Sequence, residues 1–426
     1  MPNILPTPVI IADKMLEFLF ETSGVINDVN RDYESEFAMD ANSIGRVVQV
    51  KNPPRYTAQD GPVISSIQPT NFGLSPFAID QWKTVPIELT GLERTFNNSK
   101  ELDQWAEKNI KPLVSPLVAA IESAIFGLYY KVPNWVGTAG TGPTSNDPIG
   151  SANEKLSFME TPQDNRVCYL NPTGVRKFIA GTVTFNNSTG AINPRDALGT
   201  QFTSGRVMPS VAGFEMRESN KVANHTVGSF TSTGANVLAN GVYQTGSSIA
   251  VDAFTTGKTL KKGDIITFGV LGTSTAVMAV NPVTKKSTGQ LRQFVVTEDV
   301  LAAGNAATIK ISPAVIPNGA FQNITGATAD LTGIPDNAEV SLITGTVSTT
   351  YAQHMAWWRK AIGLVTVPIA PLEGAVKSVT RTYDGISLTF TEGADVMNFK
   401  TIKRVDLAFG VDIFPAYMDQ IVRITG

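Results

Sequence analysis

The chain of 426 residues has one cysteine and two histidines, and only 17% of its residues are charged. A lone Cys168 excludes an internal disulfide, so the chain suits a reducing compartment or needs no staples. Cys168 lies in the apolar run "RVCYL" and is expected to be a small buried hydrophobe, not a nucleophile. His225 and His354 are far apart in sequence, and with one cysteine they leave little for a transition-metal site. The patterns G-x-S-x-G, H-E-x-x-H and C-x-x-C are absent. "GTAGTG" does not lead into G-K-[ST] and reads as a loop following a helix. None of the 37 acidic residues is singled out as a pair for glycoside hydrolysis. The net charge of −3 offers no basic concentration for nucleic acid. The pairs Lys261–Lys262 and Lys285–Lys286 read as solvated turns. No segment reads as a membrane span: "VIIADKMLEFLF" is broken by Asp13, Lys14 and Glu17 and lacks the features of a signal peptide. The expectation is a chain made in the cytosol whose His354 and Cys168 are structural, with a carboxylate pair for glycoside hydrolysis left open.

What is present is 42% hydrophobic residues, enough for cores, with 36 glycines and 25 prolines. The length predicts two or three domains. "TPVIIADKMLEFLFETSGV" predicts a helix: Thr7 can cap it, Pro8 fits its first position, Ile11, Met15, Phe18 and Leu19 share a face, and Ser23-Gly24 suits the stop. Such a helix needs a surface to dock on, in its own domain or a neighbouring subunit. "SIGRVVQVK" and "DQWKTVPIELT" read as two strands of a long hairpin arm whose intervening stretch, 52–80, is rich in proline. Residues 99–132 carry the longest helical pattern, from a Ser99 cap through Leu102, Trp105, Ile110, Val114, Leu117, Ile121, Ile125 and Leu128, with Pro112 and Pro116 expected to kink or split it. "RVCYLNPTGVRKFI" predicts a strand, a turn at Asn171-Pro172 and a helix.

From about 223 to 347, short β-runs alternate with Gly, Thr, Asn and Ser, and tryptophan is absent. This predicts an all-β module whose two ends lie close together if it is inserted into another domain. "HMAWWRKAIGLVTVPIAP" follows, holding His354, Trp357 and Trp358. Adjacent tryptophans point to different sides of a strand or helix, so they make no joint stacking platform. The stretch reads as a core element rejoining a sheet and ending at Pro368, with one tryptophan at least half buried where the two domains meet. "VKSVTRTYDGISLTFTEG" predicts a hairpin turning at Asp384-Gly385, and "TIKRVDLAFGVDIF" and "DQIVRITG" predict closing strands.

Taken in order, these stretches resemble the P22-type coat family of tailed bacteriophages, major capsid proteins of the HK97-like fold. "VNRDYESEF" and "SIGRVVQVKNPPRY" are similar to the family's N-terminal arm and the start of its extended loop. "TVPIELTGLERTFNNSKEL" resembles the return strand and spine helix, and "YYKVPNWVGTAGT" the end of the spine. "LNPTGVRK" is similar to the axial domain. "LKKGDIITF", "AVNPVTKKSTGQLRQFVVT" and "ATIKISP" resemble the inserted barrel. "QHMAWWRKAIGLVTVPI", "YDGISL" and "KRVDLAFGVDIFPAYMDQIVRI" resemble the return to the parent domain and its closing strands.

The resemblance implies an α+β fold with six parts. They are an N-terminal arm with its amphipathic helix (1–42), an extended β-hairpin loop (43–96), the spine helix of a peripheral domain (97–136), the first part of an axial domain (137–222), an inserted β-barrel domain (223–347), and the completion of both domains (348–426). It implies self-assembly as pentamers and hexamers into an icosahedral head, built in the bacterial cytoplasm and enclosing double-stranded DNA. The implied partners are other copies of the chain, a scaffolding protein, a portal at one vertex, packaged DNA held non-specifically and, in some shells, decoration proteins, with no membrane. It implies a non-enzymatic protein with no catalytic residue, cofactor or metal. The alternatives are a β-rich carbohydrate-binding or carbohydrate-active protein, with Trp82 or Trp357 as the sugar platform, and a phage tail or baseplate protein.

Overall fold

The computed structural model describes residues 8–31, 47–51, 53–56, 61–62, 67, 74–90, 111–189, 209–230, 237–302, 304–327, 331–398 and 400–425. The chain divides into two compact units. One comprises Met1–Asn52, Leu74–Ile125 and Ile362–Phe414; the other comprises Pro53–Gly73, Phe126–Ala361 and Pro415–Gly426.

The first unit is organised by the 14-residue strand Lys400–Ile413. Residues 400–409 pair with Gln81–Thr90 on one side, while on the other 400–406 pair with Ile386–Asp395 and 408–413 with Ile362–Val367, all antiparallel. Lys377–Tyr383 adds to Ile386–Asp395 through a two-residue turn. Asp384 and Gly385 take φ of 42° and 92°, the left-handed pair that a tight hairpin demands. Helix α1 (Pro8–Thr22) lies against the two strands of this hairpin. Ile11, Ala12, Met15, Leu16 and Leu19 are buried along one stripe, and Phe20 meets Tyr383 edge-on at 5.6 Å. Each large side chain so buried contributes roughly 1.5–3 kcal/mol. The helix thus docks within its own chain. Its expected stop is also a start: the Ser23 Oγ accepts from the Ile26 N–H at 3.2 Å and caps α2 (Gly24–Asn27). Across the hairpin, hydroxyls face one another in register, Ser378 with Thr391, Thr380 with Thr389 and Thr382 with Ser387, at 2.7–3.0 Å.

Two readings change here. Val47–Lys51 pairs with Leu74–Ala78 and not with Gln81–Thr90, which runs along Lys400–Ile413 instead. Phe77 explains the first pairing in part, since it is buried and packs near Phe414 at 6.0 Å. Gln81–Thr90 holds its proline, Pro86, on a sheet edge, where a missing donor is tolerated. Second, α3 (Lys111–Gly127) is not split at Pro116. That proline forfeits only a bond to the Pro112 carbonyl, in the first described turns. Leu113, Val114, Leu117, Val118, Ile121 and Ile125 are buried along α3. By length and composition the stretch Lys111–Lys131 could cross a membrane, but those buried side chains are what a core helix presents. Thr7, Ser99, Leu102, Trp105 and Ile110 lie outside the described residues.

The second unit holds a six-stranded mixed sheet. Its order is Asn134–Val136, Ile421–Ile424, His354–Trp358, Arg166–Leu170, Phe214–Glu218, Ser210–Val211. Helices α4 (Asp147–Phe158) and α5 (Pro172–Thr189) contribute Ile149, Leu156, Val175 and Phe178 to a core with Cys168 and Ala356. The Asn171 side chain accepts from the Gly174 N–H at 2.6 Å, so the predicted Asn-Pro turn caps α5. "GTAGTG" follows the strand Asn134–Val136 rather than a helix.

The β-rich segment belongs to the same unit. Six strands run in the order Val340–Leu342, Ile265–Phe268, Gln293–Val296, Ala306–Val315, Gly246–Asp252, Leu238–Ala239. A hydrophobic cluster including Phe230, Phe254, Phe268, Phe294 and Ile309 is drawn wholly from residues 230–342. Where the segment begins and ends, Asn224–Thr226 pairs with Thr350–Ala352.

Candidate functional site

The segment meets the six-stranded sheet through polar groups. Alternation along the sheet puts Cys168, Ala356 and Val422 on the face covered by α4 and α5. Tyr169, Met355, Trp357 and Arg423 fall on the opposite face. There Trp357 is wholly buried, stacked on Tyr169 at 4.9 Å and edge-on to Phe126 at 6.2 Å. Trp358 points to the other side, edge-on to Tyr417 at 5.4 Å. The tryptophans therefore diverge as expected. Trp357 serves the middle of a sheet and offers no platform to a ligand. Trp82 is exposed, and its indole N–H is held by Asp406 at 3.1 Å.

Arg423 is the sheet's reach toward the β-rich segment. Its Nη1 donates to the Gly263 carbonyl at 2.9 Å and to Gln353 Oε1 at 3.3 Å. Burial pushes its pKa down to about 9, against the pull of Asp264 and Tyr129, so it stays charged at neutral pH. One residue beyond Gly263, the buried Asp264 carboxylate accepts from four donors. These are His225 Nε2 at 2.8 Å, the Gly228 N–H at 3.1 Å, the Lys261 N–H at 2.7 Å and the Thr344 hydroxyl at 3.3 Å. A carboxylate only accepts, so His225 Nε2 donates to it, and Nδ1 lies 3.4 Å from the Tyr129 hydroxyl. Burial raises the Tyr129 pKa and keeps that hydroxyl protonated. Gly228 is required by close approach: a Cβ there would lie 2.3 Å from the Thr259 carbonyl oxygen. Asp264 thus ties both ends of the segment, the 225–228 entry and the Thr344 exit, to the turn before the strand Ile265–Phe268.

A second joint lies at the edge strand Asn134–Val136. The Gln293 side chain accepts from the Trp135 N–H at 2.7 Å and donates to the Trp135 carbonyl at 3.0 Å. Arg292 pairs with Asp419 at 2.6 Å. Asn281 Nδ2 donates to the Phe158 carbonyl at the end of α4, at 3.1 Å.

His354 belongs to neither joint. It is buried in the sheet, and its Nδ1 accepts from the Asn171 N–H at 3.2 Å. Burial, with Lys177 nearby, lowers its pKa to about 4. Cys168 is fully buried, and burial pushes its thiol up to about 12. Among the described residues no group of three His, Cys, Asp or Glu could hold a metal ion. Residue-by-residue reading missed Asp264, Arg423, Arg292 and Gln293. One signal was available: Arg423 interrupts the otherwise apolar "IVRI".

The family model described as P22 coat protein, gene protein 5, matches residues 76–420. The chain belongs to the P22 coat protein family, and its role is that of a structural capsid protein. No curated protein matches it. Solved structures similar to it include one described as "Mycobacterium phage Che8", at 12% identity over 93% of this chain and 89% of that one, with a TM-score of 0.43. The "Capsid of Ralstonia phage GP4" is 8% identical over 93% and 86% of the two chains, with a TM-score of 0.41. The "Capsid structure of the Cyanophage P-SCSP1u" is 12% identical over 89% and 83%, with a TM-score of 0.40.

Proposed function

We propose that this chain is the major capsid protein of a tailed phage, with the HK97-like fold, and that it assembles as pentamers and hexamers into an icosahedral head around double-stranded DNA. The family match over residues 76–420 carries the reading. In this reading 223–347 is an inserted β-domain. Its self-contained core and the pairing of Asn224–Thr226 with Thr350–Ala352 at its two ends support the insertion. The arm (1–42), extended loop (43–96), spine (97–136) and axial parts (137–222 and 348–426) supply contacts between copies. Scaffolding, portal and, in some shells, decoration proteins are its partners, and the chain carries out no catalysis. Its net charge of −3 suits a wall that holds DNA only through screened, non-specific contacts.

The test is to express the full chain with and without a scaffolding partner, then size the product and view it by negative-stain electron microscopy. Closed shells with five- and six-fold rings are expected. Open tubes of fixed symmetry would point to a tail protein instead. A species that stays at 45.5 kDa with scaffold present would overturn the reading.

A further inference from the structure

The joint between α4, the strand Asn134–Val136 and the β-rich segment encloses an amine with no counter-ion of its own among the described residues. Lys155, on α4, is 5% exposed. Its Nζ donates to the Trp135 carbonyl at 3.3 Å and to the Gln293 side-chain oxygen. Both acceptors are neutral. Gln293 in turn makes two hydrogen bonds to the Trp135 backbone, as a neighbouring strand would. Asn134–Val136 is the edge of the six-stranded sheet, so this one side chain occupies an otherwise open edge position. The charged groups facing Lys155 are Arg292, from the β-rich segment, and Asp419, from the 3-10 helix Pro415–Gln420. Those two already pair with each other. A protonated Lys155 would set two cations against one carboxylate in a buried place, which is costly. The neutral amine keeps two N–H donors and loses neither hydrogen bond.

We infer that Lys155 is a proton-operated clasp: as the neutral amine it seats Gln293 on the open edge of the sheet, and protonation loosens the β-rich segment from that edge. Burial and the Arg292 charge bring its pKa down to about 7, against the pull of Asp419. In the opened joint the lysine returns to its ordinary value of 10.5. The opened form therefore holds the proton more tightly, and the clasp weakens as pH falls from about 10.5 toward about 7 and levels off below. This inference does not depend on shell assembly.

The test is hydrogen exchange of the full chain at pH 6.5 and 8.5, with rates corrected for intrinsic chemistry. The Trp135 amide, which donates to Gln293, is the reporter; amides of Ile265–Phe268 are the control. Opening at Trp135 is expected to be roughly twentyfold greater at the lower pH, with the control unchanged. Lys155→Met should abolish the step. Lys155→Gln, which keeps hydrogen bonding without a charge, should do the same and guards against a folding defect in the first variant. A wild-type chain without the step, or a step that persists in the variants, would overturn the inference.

Discussion

The interior of the β-rich segment and its root are made differently. The interior is apolar: Phe230, Phe254, Phe268 and Phe294 are almost or wholly buried among aliphatic neighbours. At the root, Asp264, His225, Arg423, Arg292 and Lys155 are all buried as well, yet each is polar. An apolar core of this kind carries no charge and so depends little on pH. A buried polar joint is specific and conditional, since it needs every partner present and in the right protonation state. The contrast predicts that the segment keeps its own fold when its directional contacts to the sheet are lost.

Phe294→Ala removes a fully buried ring that meets Phe268 edge-on, and should cost about 4 kcal/mol in urea unfolding, independent of pH. At the root, Asp264→Ala strands His225, the Gly228 and Lys261 amides and Thr344 at once. It should cost about 3 kcal/mol, with exchange rising at Gly228 and Lys261. His354 sharpens the contrast from outside both regions. Its folded pKa of about 4 lies below its ordinary 6.5, so the unfolded chain binds the proton more tightly. The stability it contributes is whole above pH 6.5 and is lost as pH falls toward about 4, by about 2–3 kcal/mol. Urea titrations of the unassembled chain at pH 7 and 4.5 read that loss, and His354→Asn, whose side-chain oxygen can still accept from Asn171, should flatten it. Smallest is Lys261→Ala. It breaks an ion pair with Asp299 that is largely exposed on both sides and should change stability by less than about 0.5 kcal/mol.

Much of the architecture was legible because it is written in local patterns. The α1 stripe, the Asn171 cap, the Asp384-Gly385 turn and the short runs from "GSSIAVDAF" to "EVSLITGTV" each carry their own signal. What was not legible is long-range. Nothing local to Gln81–Thr90 tells that its partner is Lys400–Ile413 and not Val47–Lys51, since an exposed edge strand suits either. Leu74–Ala78 was hidden by Pro76. The root was hidden for a similar reason. A histidine in a Gly/Thr-rich loop, an aspartate in a "KKGD" turn and an arginine near the end of the chain look like ordinary surface residues until the fold brings them together. The rare residues Trp357 and His354 serve the sheet itself.

The central structural claim is that the β-rich segment keeps its own core and is held to the sheet by its polar root. Limited proteolysis of the full-length Asp264→Ala chain, with fragments read by mass spectrometry, tests it most directly. Cleavage near 223 and 347 should become fast while a fragment of about residues 230–342 survives. Loss of that fragment together with the rest of the chain, at the same rate, would contradict it.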